Sequence, residues 1–202
     1  MALAAEAKLR LPVVSAGAEY LVMGLLMRRN ILTYKAPQNQ EGYDLIAIHP
    51  DPRHHPAEGQ LPQIRIQVKS RFQSDSNRVV LLKGASLGAF DYLAVVFMNL
   101  GKFYGQHDGS TGELDTEVYF LPNSFVRKHH LAGRKVEKLP LKELQQELLA
   151  FKGATGIELL AKDLGVERPV RRGRAPANLP NQRLQPTAAS AVLEPPRLKR
   201  KR

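Results

Sequence analysis

The chain contains no cysteine, which excludes a disulfide scaffold, thiolate metal sites such as zinc fingers, and cysteine nucleophiles. It also lacks any run approaching the roughly 18–20 consecutive apolar residues that a membrane span needs. Its first residues, with Glu6, Lys8 and Arg10 among alanines, lack the apolar centre of a signal peptide, so a cytoplasmic protein with no membrane partner is expected. Neither a phosphate-cradling P-loop nor a dinucleotide glycine fingerprint occurs, so nucleotide-driven chemistry finds no support. There is no internal repeat. What is present is a globular composition of 202 residues, 43% hydrophobic and 24% charged, enough for about one domain with additions.

The net charge of +11 is unevenly placed. Residues 1–164 hold 20 Lys and Arg against 17 Asp and Glu, whereas residues 165–202 hold 10 against 2. That last stretch also carries 6 of the 14 prolines and no aromatic residue. It cannot bury enough apolar surface to offset the ordering of its backbone, so it is expected to be a disordered, basic, proline-rich tail. Its end, Arg197 with Lys199 to Arg202, suits either a salt-screened attraction to phosphates or plain solubilisation.

Hydrophobic periodicity predicts a helix from Ser15, read as its N-cap, to Asn30, with Glu19 aligned with Val22, Met23 and Leu26. Such an acid is either a dipole-stabilising residue of a solvated first turn or a side chain held for chemistry. Strands are predicted at 31–35 and 43–49. In the second, Asp44, Ile46 and Ile48 share one face while Tyr43, Leu45 and Ala47 share the other, so both faces are expected to be covered. An acid opening a covered strand either caps a turn or is paired, hydrogen-bonded or bound to a cation. Residues 50–61 form a proline-rich loop whose His54 and His55 are expected to be solvated. In the strand 63–70, Ile64, Ile66 and Val68 face one way, and Arg65, Gln67 and Lys69 the other. Taken alone, that is a half-solvated strand.

Further strands are predicted at 78–83, 92–98, 100–106 and 117–121, with a short helix at 122–131. Two more helices are predicted at 141–152, from Leu141, Leu144, Leu148 and Phe151, and at 157–164, stopped by Gly165.

The order of these features, a helix glutamate, a strand aspartate and then a strand bearing Gln-Val-Lys, resembles the PD-(D/E)xK nuclease superfamily. It is most similar to the group I intron homing-endonuclease-like branch, in which glutamine replaces the acid of the third motif. The resembling text is Gly17-Ala18-Glu19, Gly42-Tyr43-Asp44-Leu45-Ile46 and Ile66-Gln67-Val68-Lys69-Ser70. Phe90 to Val96 and Val118 to Pro122 are similar to the later core strands of that branch. Tyr43 stands where proline gives the motif its name.

The resemblance implies an α/β fold with a restriction-endonuclease-like core, a mixed central sheet flanked by helices, over residues 1–132. A helical extension at 133–165 and the disordered tail at 166–202 would follow. It also implies that acids bind Mg²⁺, with Asp44 the principal ligand, Gln67 offering its amide oxygen, and Glu19 a ligand directly or through another ligand. Lys69 would be the ammonium that orients water and stabilises the transition state, a task suited to a compact point charge. Arg71, Arg134, Lys135 and Lys138 are the candidate phosphate contacts.

Because Gln67 adds no negative charge, metal affinity is expected to be lower than with an acid. Two functions follow: a Mg²⁺-dependent DNA endonuclease, or a catalytically inactive DNA-binding module of the same fold. A third reading, a coincidental motif, would leave Glu19, Asp44 and Lys69 dispersed. Paired cuts on a duplex imply a two-fold homodimer, for which the sequence names no self-complementary surface.

Overall fold

The computed structural model describes residues 12–37, 40–72, 74, 78–99, 114–133 and 136–166. The strand expected at 100–106, Arg134, Lys135 and the tail from residue 167 onward lie outside them. Helix α1 spans Pro12–Met27. It starts three residues before the expected cap at Ser15, because proline is well suited to a helix's first turn, where its missing N–H is not needed. It ends at Met27, three residues short of the expected Asn30, and a turn over 28–30 closes it. Asn30 takes a left-handed φ of 60°, the Ile31 N–H donates to the Leu26 carbonyl at 3.1 Å, and the Asn30 N–H donates to that of Met27 at 2.9 Å. This pair of bonds satisfies terminal carbonyls that the helix itself cannot.

Strands β1 (Leu32–Lys35), β2 (Leu45–Ile48), β3 (Gln63–Arg71), β5 (Tyr92–Phe97) and β6 (Glu117–Pro122) form a five-stranded sheet in the order β1-β2-β3-β5-β6. β3 and β5 run parallel, and the other neighbours are antiparallel. The sheet is therefore mixed, as expected. The crossover joining the parallel pair carries β4 (Val79–Leu81) and a single 3₁₀ turn at Gly84–Gly88. β4 pairs with β7 (Lys138–Pro140) in a separate two-stranded ribbon.

Period-two alternation divides the buried side chains between the two faces of the sheet. On one face Leu45, Ile64, Ile66, Ala94, Val96 and Phe120 meet Ala18, Val22 and Leu26 of α1. Helix α4 (Gly153–Asp163) lies on the same side through Ile157, Leu160 and Ala161. The Tyr92 hydroxyl donates to Asp163 at 2.7 Å, and Arg29 at the end of α1 pairs with Glu158. On the opposite face Leu93, Val95, Phe97 and Leu121 meet Phe125 and Val126 of α2 (Asn123–His129), together with Val80 and Leu139 of the ribbon.

Residues 133–165, expected to be a helical extension beyond a core ending near 132, include the strand β7, and several of their leucines enter the two clusters. Nor is 141–152 one helix. A turn at 141–144 leads into α3 (Gln145–Leu148) and a 3₁₀ turn at Leu149–Phe151. Extended Lys152 and left-handed Gly153, at φ 52°, then redirect the chain into α4. Leu141, Leu144 and Leu148 remain buried, so the helical spacing marks their burial but not a continuous helix.

Candidate active site

The second face is closed over β5 and β6 but not over β3. The register sets Gln67 beside Leu93 and Lys69 beside Val95, so both polar residues belong to this face. They line a cleft of about 1120 Å³ whose far wall comes from Leu81 to Lys83, Ala85 and Ser86, and from Val136 and Glu137. Gln67 is 8% exposed, and its Oε1 has no hydrogen-bond partner. An amide oxygen buried in that way carries a desolvation cost that a ligand would relieve. Lys69 is half-buried and forms no salt bridge among the described residues.

Asp44 stands at the entry to β2. Its N–H donates to the Ile66 carbonyl at 2.9 Å, and its Oδ2 accepts the Val68 N–H at 2.6 Å. The carboxylate is thereby anchored to the backbone between Gln67 and Lys69, with Oδ1 left over. Burial pushes its pKa up, and the nearby Glu19 carboxylate adds to that rise; the Val68 N–H and the ammonium groups of Lys69 and Lys35 oppose it without cancelling it. Glu19 and Lys69 thus both act electrostatically on Asp44, with opposite signs.

Gly42 explains the approach of the chain to Asp44. Its φ is 91°, and a Cβ built on it would lie 2.2 Å from Ala89 Cβ. Any side chain there meets both backbone strain and a collision.

Glu19 comes from the other side. Its neighbours Ala18 and Val22 are fully buried in the α1 face, while its own carboxylate reaches the sheet edge and pairs with Lys35 of β1. It is thus neither solvated nor a mere dipole residue. Lys35, which strand patterning marked only as the end of β1, was missed as part of this cluster. The missing signal was the β1–β2 register, which sets Lys35 opposite Leu45 and one residue from Asp44. β2 itself has one buried and one half-exposed face, where two covered faces were expected. It lies between edge strand β1 and β3, where the cover of the second face has ended.

The remaining candidates fall elsewhere. Arg71 is half-buried, its Nε donating to the Val79 carbonyl at 2.9 Å and its Nη1 to that of Ser70 at 3.2 Å. Burial lowers its pKa. It fastens β3 to the ribbon. Lys138 is exposed on β7. His55 is exposed, but His54 is not simply solvated: it stacks on His49 with ring centroids 3.8 Å apart, and its Nε2 is buried.

The donor set fits a hard cation that takes oxygen ligands. Asp44 and Glu19 supply carboxylates, and the unpartnered Gln67 Oε1 an amide oxygen. Among the described residues no cluster of three or more His, Cys, Asp or Glu has a ligating arrangement, so the charge offered here is that of two acids. No described helix is long and apolar enough to cross a membrane.

No protein-family model and no curated protein matches the sequence. Among solved structures, the chain is similar to a Holliday junction resolvase from the archaeal hyperthermophile Archaeoglobus fulgidus. The match has 11% identity and a TM-score of 0.42, covering 77% of this chain and 98% of that one. It is also similar to a bacterial homing endonuclease, with 14% identity and a TM-score of 0.43, covering 78% of this chain and 98% of the other. These values describe a partial likeness of backbone outline.

Proposed function

We propose that the protein is a Mg²⁺-dependent endonuclease that hydrolyses DNA phosphodiester bonds at the mouth of the β2–β3 pair. The observation that carries this reading is the seat of Asp44, its carboxylate held by the Val68 N–H between Gln67 and Lys69 and within electrostatic reach of Glu19. Asp44, Glu19 and the Gln67 amide oxygen would hold the ion. A magnesium ion bound there supplies positive charge to the scissile phosphate and acidifies a water.

The rest is done by the chain. Asp44, tethered through Oδ2, keeps Oδ1 directed by its backbone anchor and loses no freedom when a ligand arrives. Lys69, an ammonium on a strand two residues from Gln67, donates hydrogen bonds to an attacking water or to phosphate oxygens, and it meets the charge that develops there. Gln67 contributes an oxygen without charge, so the site depends more heavily on its two acids than an all-carboxylate set would.

The test is incubation of supercoiled plasmid with the full chain and Mg²⁺, beside an EDTA control and the Lys69→Ala and Asp44→Asn variants. Nicked or linear product that needs the metal is expected, with a fall of about a hundredfold or more in each variant. Plasmid that is shifted in a salt-sensitive way but never cut would favour the DNA-binding module instead.

A further inference from the structure

Lys35 belongs to the same corner as the two acids, and the nuclease roles leave it unused. β1 is an edge strand, and the Ala36 N–H donates to the Asp44 carbonyl at 2.8 Å, which ties the end of β1 to the residue that anchors the site. The Lys35 ammonium pairs with Glu19 Oε2 and lies 4.7 Å from the centroid of the Tyr20 ring. Its positive charge also acts on Asp44. The carboxylate of Glu19 is largely enclosed at 18% exposure, whereas Lys35 is at 39%. One partner is therefore held in place, and the other has room to leave.

Resting on the reading that the site holds a divalent cation, we propose that Lys35 is a resident counter-cation of Glu19 that the metal must displace. While the ammonium holds that carboxylate, Glu19 offers an incoming ion less negative charge. A partly exposed Lys–Glu pair is weak on its own, so displacement is feasible, and the free protein takes up metal less tightly than its donor set alone would allow. Lys35 thus acts as a brake on metal loading. It is not a catalytic residue.

Uptake of Mn²⁺ by the full chain at low salt, with the free ion followed by its electron paramagnetic resonance signal, tests this directly. Lys35→Met should bind about three- to tenfold more tightly than wild type, from the loss of one charge near a doubly charged ion. Lys35→Gln should behave likewise, and Lys35→Arg, which keeps the charge, should stay within about twofold of wild type. Asp44→Asn identifies the site by removing the uptake. Binding by Lys35→Met where wild type shows none would also support the proposal. Equal or weaker binding by Lys35→Met and Lys35→Gln, with Asp44-dependent uptake intact in wild type, would overturn it and leave the nuclease reading standing. Absence of Asp44-dependent uptake in every protein would overturn both.

Discussion

Ile66 and Gln67 are adjacent in the chain and look into opposite sides of one sheet, and those sides are built differently. Beneath α1 and α4, strands β2 to β6 of the sheet all contribute apolar side chains, and the cover is complete. On the other side the cover closes over β5 and β6 through α2 and the ribbon, then stops at β3, where Gln67 and Lys69 face a cleft. Buried apolar clusters on both sides hold the fold together. The second side, where its cover ends, also keeps an unpartnered amide oxygen and an acid that burial disfavours. Stability and chemistry should therefore respond in opposite senses to substitutions one residue apart.

The largest stability effect belongs to the closed side. Ile66→Ala removes a fully buried side chain and should cost about 2–5 kcal/mol in denaturant unfolding. If it costs less than about 1 kcal/mol, Ile66 is not tightly packed beneath α1. Gln67→Leu, one residue on, should stabilise the protein by about 1 kcal/mol, because it replaces an unsatisfied buried amide with an apolar side chain of similar size. The same variant should lose Mn²⁺ uptake. A destabilised Gln67→Leu would mean that the amide is already satisfied in the native state.

The smallest effect concerns pH. At low pH Asp44 is protonated in both the native and the unfolded chain and costs nothing. Between its ordinary value of 3.8 and its raised native value, the native chain retains a proton that the unfolded chain has released. Stability therefore falls as pH rises through that window, and the cost is constant above it. Asp44→Asn should consequently melt higher than wild type at pH 7, with the gain disappearing near about pH 3. An equal gain at both pH values would point to a cause other than ionisation.

Much of this contrast was legible in the sequence because it depends on local periods. Alternation along 63–71 separates Ile64, Ile66 and Val68 from Gln67 and Lys69, and helical spacing puts Val22 and Leu26 in the core. What could not be read depends on pairings between distant segments. β7 is three residues long and ends in Pro140, so it has no strand signature of its own and exists because β4 offers it an edge. Lys35 enters the site only through the register of β1 on β2. The exposure of one face of β2 reflects where a covering layer stops, and no residue of β2 encodes that.

The ribbon has a practical consequence. β4 and β7 each span three residues and pair with one another outside the five-stranded sheet, while Asp44, Gln67 and Lys69 are set by the β2–β3 and β3–β5 registers. The outer wall of the cleft is thus separable from the strands that carry Asp44, Gln67 and Lys69. It can be treated as an exchangeable cassette: Lys83, Ala85, Ser86, Val136 and Glu137 are the positions to vary in order to reshape the cleft. The Arg71 bond to the Val79 carbonyl and the buried Val80 and Leu139 would be kept as the fastening.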